Sequence, residues 1–368
     1  MKPIKIIWFT FFKHSIYDDL LNALTETNDL DVHCVLAKDS DDNTIKYKKI
    51  IVPSSNILLP VTFFKYIPNF KYFYDLLSSD VYLINYYSSL RSYQIYRLAK
   101  KRNVKLIICA EEKKREGLLR KIFLRLWDIT AGRSMIKYSS LIMPWTNESK
   151  MFISKFTNDK RKIVQISAGI DTSIFYPEEK RYEKCNTLLN ILMVAKFENN
   201  KSHKTLIEAL HYLKINHHLQ FHLTLVGRDS GGIKETIIKK IDEFNLNDNV
   251  NILNSVDKSK MRELYNSFDL LVLPSRQEPI GMVVPEAMAC GTPVIVSDKV
   301  GAKYFIDDGV SGFIFKAGDA FDLGKKILRA HSSDLQLLGK NSADNIKNNY
   351  SIHSMAKNIY SAIIGEFT

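Results

Sequence analysis

Short unbroken apolar runs, each followed by a segment of helix length, recur along this chain, and no other feature restricts its fold so tightly. A strand covered on both faces shows such runs, because neither face alternates with water. Lys5–Phe12, Val32–Ala37, Asp80–Asn85, Lys105–Cys109, Leu141–Pro144 and Ile163–Ser167 read as strands, with helices over Ile16–Leu24 and Ser92–Lys101. The pattern breaks at Tyr176-Pro177-Glu178-Glu179-Lys180-Arg181, a polar stretch that reads as a linker. It then restarts. Leu188–Ala195, Phe221–Val226, Val250–Leu253, Leu270–Pro274 and Pro293–Ser297 read as strands, and Lys204–Lys214, Ile233–Asn245 and Lys258–Ser267 as helices, with another beginning at Pro285–Ala289. Two such series predict an α/β chain of two Rossmann-like domains facing each other across a cleft, with ligand bound outside the carboxyl ends of the strands. A chain of 368 residues suits two cores. The expected domains are 1–178 and 179–351, with a helix near 352–368 packing back on the first.

No run approaches the roughly 20 apolar residues that a membrane-spanning helix needs. Lys2 and Lys5 ahead of Ile6–Phe12 imitate a secretion signal, but the run stops at Lys13-His14 and no small-residue cleavage site follows. A buried first strand explains it better. Cys34, Cys109, Cys185 and Cys290 are widely spaced beside apolar segments and lack metal-ligand spacing, which predicts reduced thiols in a cytosolic protein. The net charge of +12 is uneven: residues 1–180 hold 29 Lys and Arg against 19 Asp and Glu, and the remainder 23 against 21. The basic excess of the N-terminal half points to an anionic partner, either a phospholipid surface, a lipid diphosphate or nucleic acid. No nucleic-acid module is visible, and a lipid surface accounts for the same residues, so nucleic acid is set aside.

The most informative stretch runs from Leu271 to Val294 and reads strand, loop, helix, glycine, strand. Glu278 lies on the loop leaving the strand, and Glu286 follows Pro285 in the first helical turn, with seven residues between the two. The intervening Pro279-Ile280-Gly281-Met282 can present backbone amides to an anion where the helix dipole favours negative charge. A carboxylate on either side can hold hydroxyl groups. A diphosphate flanked by hydroxyl-rich rings has both properties.

Residues 270–315 resemble the signature of the retaining glycosyltransferases of family 4, which have the GT-B fold. The resemblance is carried by Pro274-Ser275, Glu278, Ile280-Gly281-Met282, Glu286-Ala287-Met288-Ala289, Gly291, Pro293-Val294 and Asp307-Asp308-Gly309-Val310-Ser311-Gly312. It implies that Glu286 binds the nucleotide ribose, that Glu278 contacts the donor sugar, and that the amides around Ile280, Gly281, Met282 and Val283 meet the sugar or its phosphates. Upstream, Val194-Ala195-Lys196 and Lys201-Ser202-His203-Lys204-Thr205-Leu206 are similar to a basic pair of the family, which more often has Arg at the first position. Both lysines suit a departing diphosphate, whose charge grows in the transition state. Val226-Gly227-Arg228 resembles the family's Val-Gly-x-Gly, and Leu253–Val256 the segment whose backbone meets the base. Ile166–Pro177 is similar to the junction before the interdomain linker, where Gly169 is expected to supply a tight turn.

The N-terminal half departs from the family. Thr10–Ser15 has no Gly-Gly, and the strand Lys105–Ala110 is followed by Glu111-Glu112 in place of a histidine. Glu111, Glu112 and His14 are therefore the acceptor-side candidates. The missing glycines also motivate a second reading, a catalytically silent assembly subunit. Phe63–Tyr74 and Lys113–Trp127 mix Lys and Arg with large apolar residues, as interfacial helices on anionic lipid do. Together these features predict retaining transfer of a hexose-type sugar from a nucleoside diphosphate sugar, UDP-sugar favoured, to a glycan or lipid-linked acceptor in bacterial surface polysaccharide synthesis. No covalent nucleophile stands out, so front-face displacement is expected, without a metal or other cofactor. The expected place is cytoplasmic, peripheral on the inner face of the cell membrane.

Overall fold

A computed structural model describes residues 2–9, 15–36, 46–51, 55–59, 62–66, 78–85, 89–110, 118–178 and 188–367. The chain divides into two units, residues 1–169 with 352–368, and residues 170–351. The first runs β1 (Ile4–Phe9), α1 (Ser15–Thr25), β2 (Leu30–Leu36), β3 (Lys48–Ile51), β4 (Ser55–Leu59), β5 (Thr62–Tyr66), β6 (Val81–Asn85), α2 (Leu90–Arg102), β7 (Lys105–Ala110), α3 (Leu118–Trp127), α4 (Arg133–Tyr138), β8 (Leu141–Pro144) and α5 (Asn147–Ile153). A π-helical turn, Asp128–Gly132, joins α3 to α4. The second unit runs β9 (Leu188–Val194), α6 (His203–His217), β10 (Gln220–Val226), α7 (Lys234–Glu243), β11 (Val250–Leu253), α8 (Met261–Asn266), β12 (Leu270–Leu273), α9 (Val283–Ala289), β13 (Val294–Ser297), β14 (Gly312–Phe315), α10 (Ala320–His331) and α11 (Leu335–Asn349). The last helix, α12 (Ile352–Phe367), packs on α1 of the first unit.

Each unit holds a six-stranded sheet, ordered β3-β2-β1-β6-β7-β8 in the first and β11-β10-β9-β12-β13-β14 in the second. All neighbouring pairs in both are parallel. The apolar runs follow from this topology. In β1, Ile6 and Trp8 face Leu20 and Leu24 of α1 and Ile359 of α12, while Ile7 and Phe9 face Ile95 and Leu98 of α2. In β9, Ile191 and Met193 pack with Leu206 and Leu210 of α6, and Leu192 with Val284 and Met288 of α9. Both alternating faces are buried, so no polar phase remains. Strand order reverses between β1 and β6 and between β9 and β12, which opens a crevice at the carboxyl ends of each pair. A two-stranded antiparallel ribbon, β4-β5, was not foreseen from the sequence.

Three local expectations are corrected. Residues 163–167 lie beside β8 but form only one bridge, Ile142 to Ile163. The Ile166 amide donates to the Pro144 carbonyl at 3.0 Å, but proline has no N–H to return a bond, and the ladder stops. Gly169 does not make a left-handed turn; a Cβ there would lie 3.0 Å from the Ile352 backbone, so close approach of α12 is what requires glycine. Residues 170–178 belong with the second unit. The Ile170 amide donates to the Tyr350 carbonyl at 2.8 Å, Phe175 packs on Tyr265, and Glu178 pairs with Arg262 at 3.1 Å.

Candidate functional site

The strands β11, β10, β9 and β12 end side by side, and the loops leaving them carry most of the donor-site candidates. Two of those loops touch through the backbone: the Phe197 amide donates to the Arg228 carbonyl and the Ala195 amide to the Val226 carbonyl, both at 2.9 Å. Gly227 sits where a Cβ would fall 1.9 Å from the Ala195 carbonyl oxygen, so only glycine lets the two strand ends close. The Gly227 amide donates in turn to the Leu253 carbonyl at 3.2 Å, and Arg228 Nε to Ser255 Oγ at 3.1 Å, which ties in the segment ending at Val256.

Lys201 closes a 3₁₀ turn, Asn199–Lys201, ahead of α6. The Asn200 carbonyl accepts from the Arg276 amide at 2.7 Å, joining the loop after β9 to the loop after β12. Across that join the Lys201 ammonium pairs with the Glu278 carboxylate, and both side chains are largely buried. Glu278 is held from behind: its amide donates to the Lys299 carbonyl at 3.2 Å, and its carbonyl accepts from Gly301 at 2.8 Å. A Cβ on Gly301 would lie 1.8 Å from the Pro279 carbonyl oxygen. Gly281, at φ +82°, turns the chain into α9 in a conformation that costs other residues energy, and a Cβ there would crowd Leu273 and Glu278. Met282 and Val283 then open α9, and the N-cap residue Met282 makes no side-chain cap.

Glu286 is presented one turn into α9, and its Oε2 accepts a hydrogen bond of 2.8 Å from the Tyr265 hydroxyl. Burial holds the Glu286 carboxyl above the ordinary carboxylate range, while the Tyr265 hydroxyl and the Lys258 charge oppose that rise. Burial first, and the Glu286 charge second, hold the Tyr265 phenol well above its usual value, so the phenol is the proton donor. Tyr265 is fully buried in the apolar cluster beneath α9.

The structure thus joins Lys201 to Glu278 and sets Gly281 against Glu278. Lys196 is exposed and makes no ion pair among the described residues. His203 is a packing residue: its ring stacks on Phe197 at 4.6 Å, and burial pushes its pKa down to about 4. His14, Glu111 and Glu112 lie outside the described residues. Two contributors escaped the sequence reading. Asn200 is an ordinary turn residue until Arg276 is beside it, and Tyr265 reads as one apolar position of a helix.

Residues 177–351 match the family model for glycosyl transferases group 1, a span that coincides with nearly all of the second unit. The C-terminal unit belongs to this family. Among relatives of the group 1 unit, the D-inositol 3-phosphate glycosyltransferase of Mycolicibacterium smegmatis is 26% identical over 212 residues, covering 55% of this chain and 48% of the relative. The chain therefore spans about half the length of the curated relatives it matches. Among solved structures, a glycosyltransferase from Rickettsia africae ESF-5 aligns over 100% of both chains with a TM-score of 0.77 at 18% identity. Anabaena HepE in complex with UDP aligns over 99% of this chain and 100% of its own, with a TM-score of 0.76 at 16% identity. These likenesses establish the GT-B fold, with the group 1 unit as its second half.

Proposed function

We propose that the chain is a retaining glycosyltransferase. It moves a hexose-type sugar from a nucleoside diphosphate sugar, UDP-sugar favoured, to a hydroxyl of a lipid-linked glycan of a bacterial surface polysaccharide. The observation that carries this reading is the Lys201–Glu278 pair beside the Gly281 turn and the Tyr265-supported Glu286, all on the carboxyl edge of a group 1 sheet. HepE, a GT-B neighbour, was solved with UDP, which favours the same nucleotide here.

In this reading Glu286 accepts hydrogen bonds from the ribose hydroxyls, the backbone of Leu253–Val256 meets the base, and Gly227 lies beside the donor. Glu278 holds a sugar hydroxyl, and the amides of Ile280, Gly281, Met282 and Val283 contact the sugar and its phosphate. The acceptor oxygen bonds to the anomeric carbon on the face that the diphosphate leaves. The anomeric C–O bond breaks with its electron pair going to the diphosphate, which takes the acceptor proton. Lys196 and Lys201 stabilise the charge gathering on that leaving group, a role for fixed cations that needs no metal. The N-terminal unit receives the acceptor, with His14, Glu111 and Glu112 as its candidate polar groups, at the inner face of the cell membrane.

The test is release of nucleoside diphosphate from a panel of sugar nucleotides, with and without lipid-linked acceptor. Turnover with one donor supports the reading. Donor binding without turnover on any acceptor assigns the chain to a silent assembly role, and no binding to any nucleotide rejects both.

A further inference from the structure

Lys113–Trp127 reads in the sequence as a basic helix whose aromatic and apolar residues meet lipid. Residues 113–117 lie outside the described residues, and within 118–127 the structure divides the apolar side chains differently. Leu124 and Trp127 are buried, and Trp127 packs edge-on against Tyr93 within the core that holds Ile95 and Met135. The apolar residues facing water are Ile122, Leu126 and Ile129, which are 48%, 54% and 59% exposed. Their spacing of four and then three places them on one side of α3 and of the π-helical turn that continues it. Large aliphatic side chains exposed in a row, opposite a buried face, mark an interaction surface.

The charge around the row identifies what it meets. Residues 118–138 carry Arg120, Lys121, Arg125, Arg133 and Lys137 against one acidic residue, Asp128. Asp128 is buried, whereas Arg125, Arg133 and Lys137 are exposed. A second copy of the chain in a two-fold contact would set this basic face against itself. An anionic lipid surface accepts both components, since apolar side chains enter the headgroup boundary while Arg and Lys meet phosphates.

We infer that the face formed by Ile122, Leu126 and Ile129, flanked by Arg125, Arg133 and Lys137, is a docking surface for anionic membrane. It deepens the reading of a lipid-linked acceptor and rests on it for its purpose, but its test uses no nucleotide. Three aliphatic side chains and a few cations give reversible, salt-sensitive attachment, because the electrostatic part fades within a Debye length.

The experiment is sedimentation of the full chain with vesicles of phosphatidylglycerol and phosphatidylcholine, and with phosphatidylcholine alone, at low and high salt. The wild type is expected to sediment with the anionic vesicles at low salt and to be released at high salt. The triple variant Ile122→Ser/Leu126→Ser/Ile129→Ser, which keeps every charge, should lose about tenfold in partitioning. Arg125→Ser/Arg133→Ser/Lys137→Ser should lose roughly a hundredfold. Circular dichroism checks that both remain folded. Wild-type protein that stays in solution with anionic vesicles overturns the inference, as does an apolar variant that sediments like wild type. A concentration-dependent dimer that the apolar variant abolishes, seen by sedimentation velocity, assigns the face to a second copy and also overturns it. Sugar-nucleotide turnover, measured separately without vesicles, reports on the proposed activity alone.

Discussion

Lys201 and Glu278, 77 residues apart in the chain, form an ion pair between the loops that leave β9 and β12. These are the two strands at which the order of the sheet reverses. Each residue neutralises the other. In the proposed reading, a diphosphate at Lys201 and a sugar hydroxyl at Glu278 must share this pair or replace it.

Glu278→Gln is therefore expected to separate binding from turnover. It releases the Lys201 ammonium from its partner, and nucleoside diphosphate should bind about 1 kcal/mol more tightly. Transfer should fall by about 10²–10³, because a charged contact to the donor sugar is lost. Calorimetry with UDP and a turnover assay check the two numbers. Affinity falling in step with turnover would show that the pair does not restrain Lys201.

Lys201→Ala should lower turnover too, but without any gain in binding. Turnover falls by about 10²–10³ through loss of leaving-group stabilisation, while affinity for the nucleoside without phosphate is unchanged. Small and equal effects on both would reduce Lys201 to a solvated charge.

In the proposed reading, Glu286 should make nucleotide binding depend on pH. Its carboxyl sits above the ordinary range because it is buried, so it keeps its proton to a higher pH than an exposed glutamate. If the carboxylate accepts the ribose hydroxyls, binding is strongest above that pKa and weakens as pH falls through it. Tyr265→Phe removes a hydrogen bond to the charged form, which should raise that pKa further and move the acid limb of the affinity profile upward. Glu286→Gln should lose about 1.5–3 kcal/mol of affinity and flatten the profile. An unchanged profile in Tyr265→Phe would show that the hydroxyl does not support Glu286.

Gly227→Ala tests whether that glycine serves the ligand or the sheet. A methyl group 1.9 Å from the Ala195 carbonyl forces the ends of β9 and β10 apart. A loss of about 1–3 kcal/mol in urea unfolding is expected, with or without nucleotide. Unchanged stability with weakened binding would return Gly227 to a purely ligand-facing role.

What the sequence determined by itself is local. Apolar runs such as Leu188–Val194 and Leu270–Leu273 announce strands buried on both faces, and the order of the two series announces two doubly wound units. Glu278, Gly281 and Glu286 could be read together because one strand, one turn and one helix carry all three within a few residues. Packing decided the rest, because it depends on which surfaces meet after long crossovers. Nothing near Glu286 in the chain indicates that the Tyr265 hydroxyl reaches it from α8. Lys201 and Glu278 could each be named, but their contact needs the parallel neighbours β9 and β12 side by side. Composition placed Trp127 at a lipid surface, whereas helix packing buried it and turned Ile122, Leu126 and Ile129 outward. Spacing along a helix identifies which residues share a face. Only the neighbours that the tertiary structure brings up determine whether that face is core or surface.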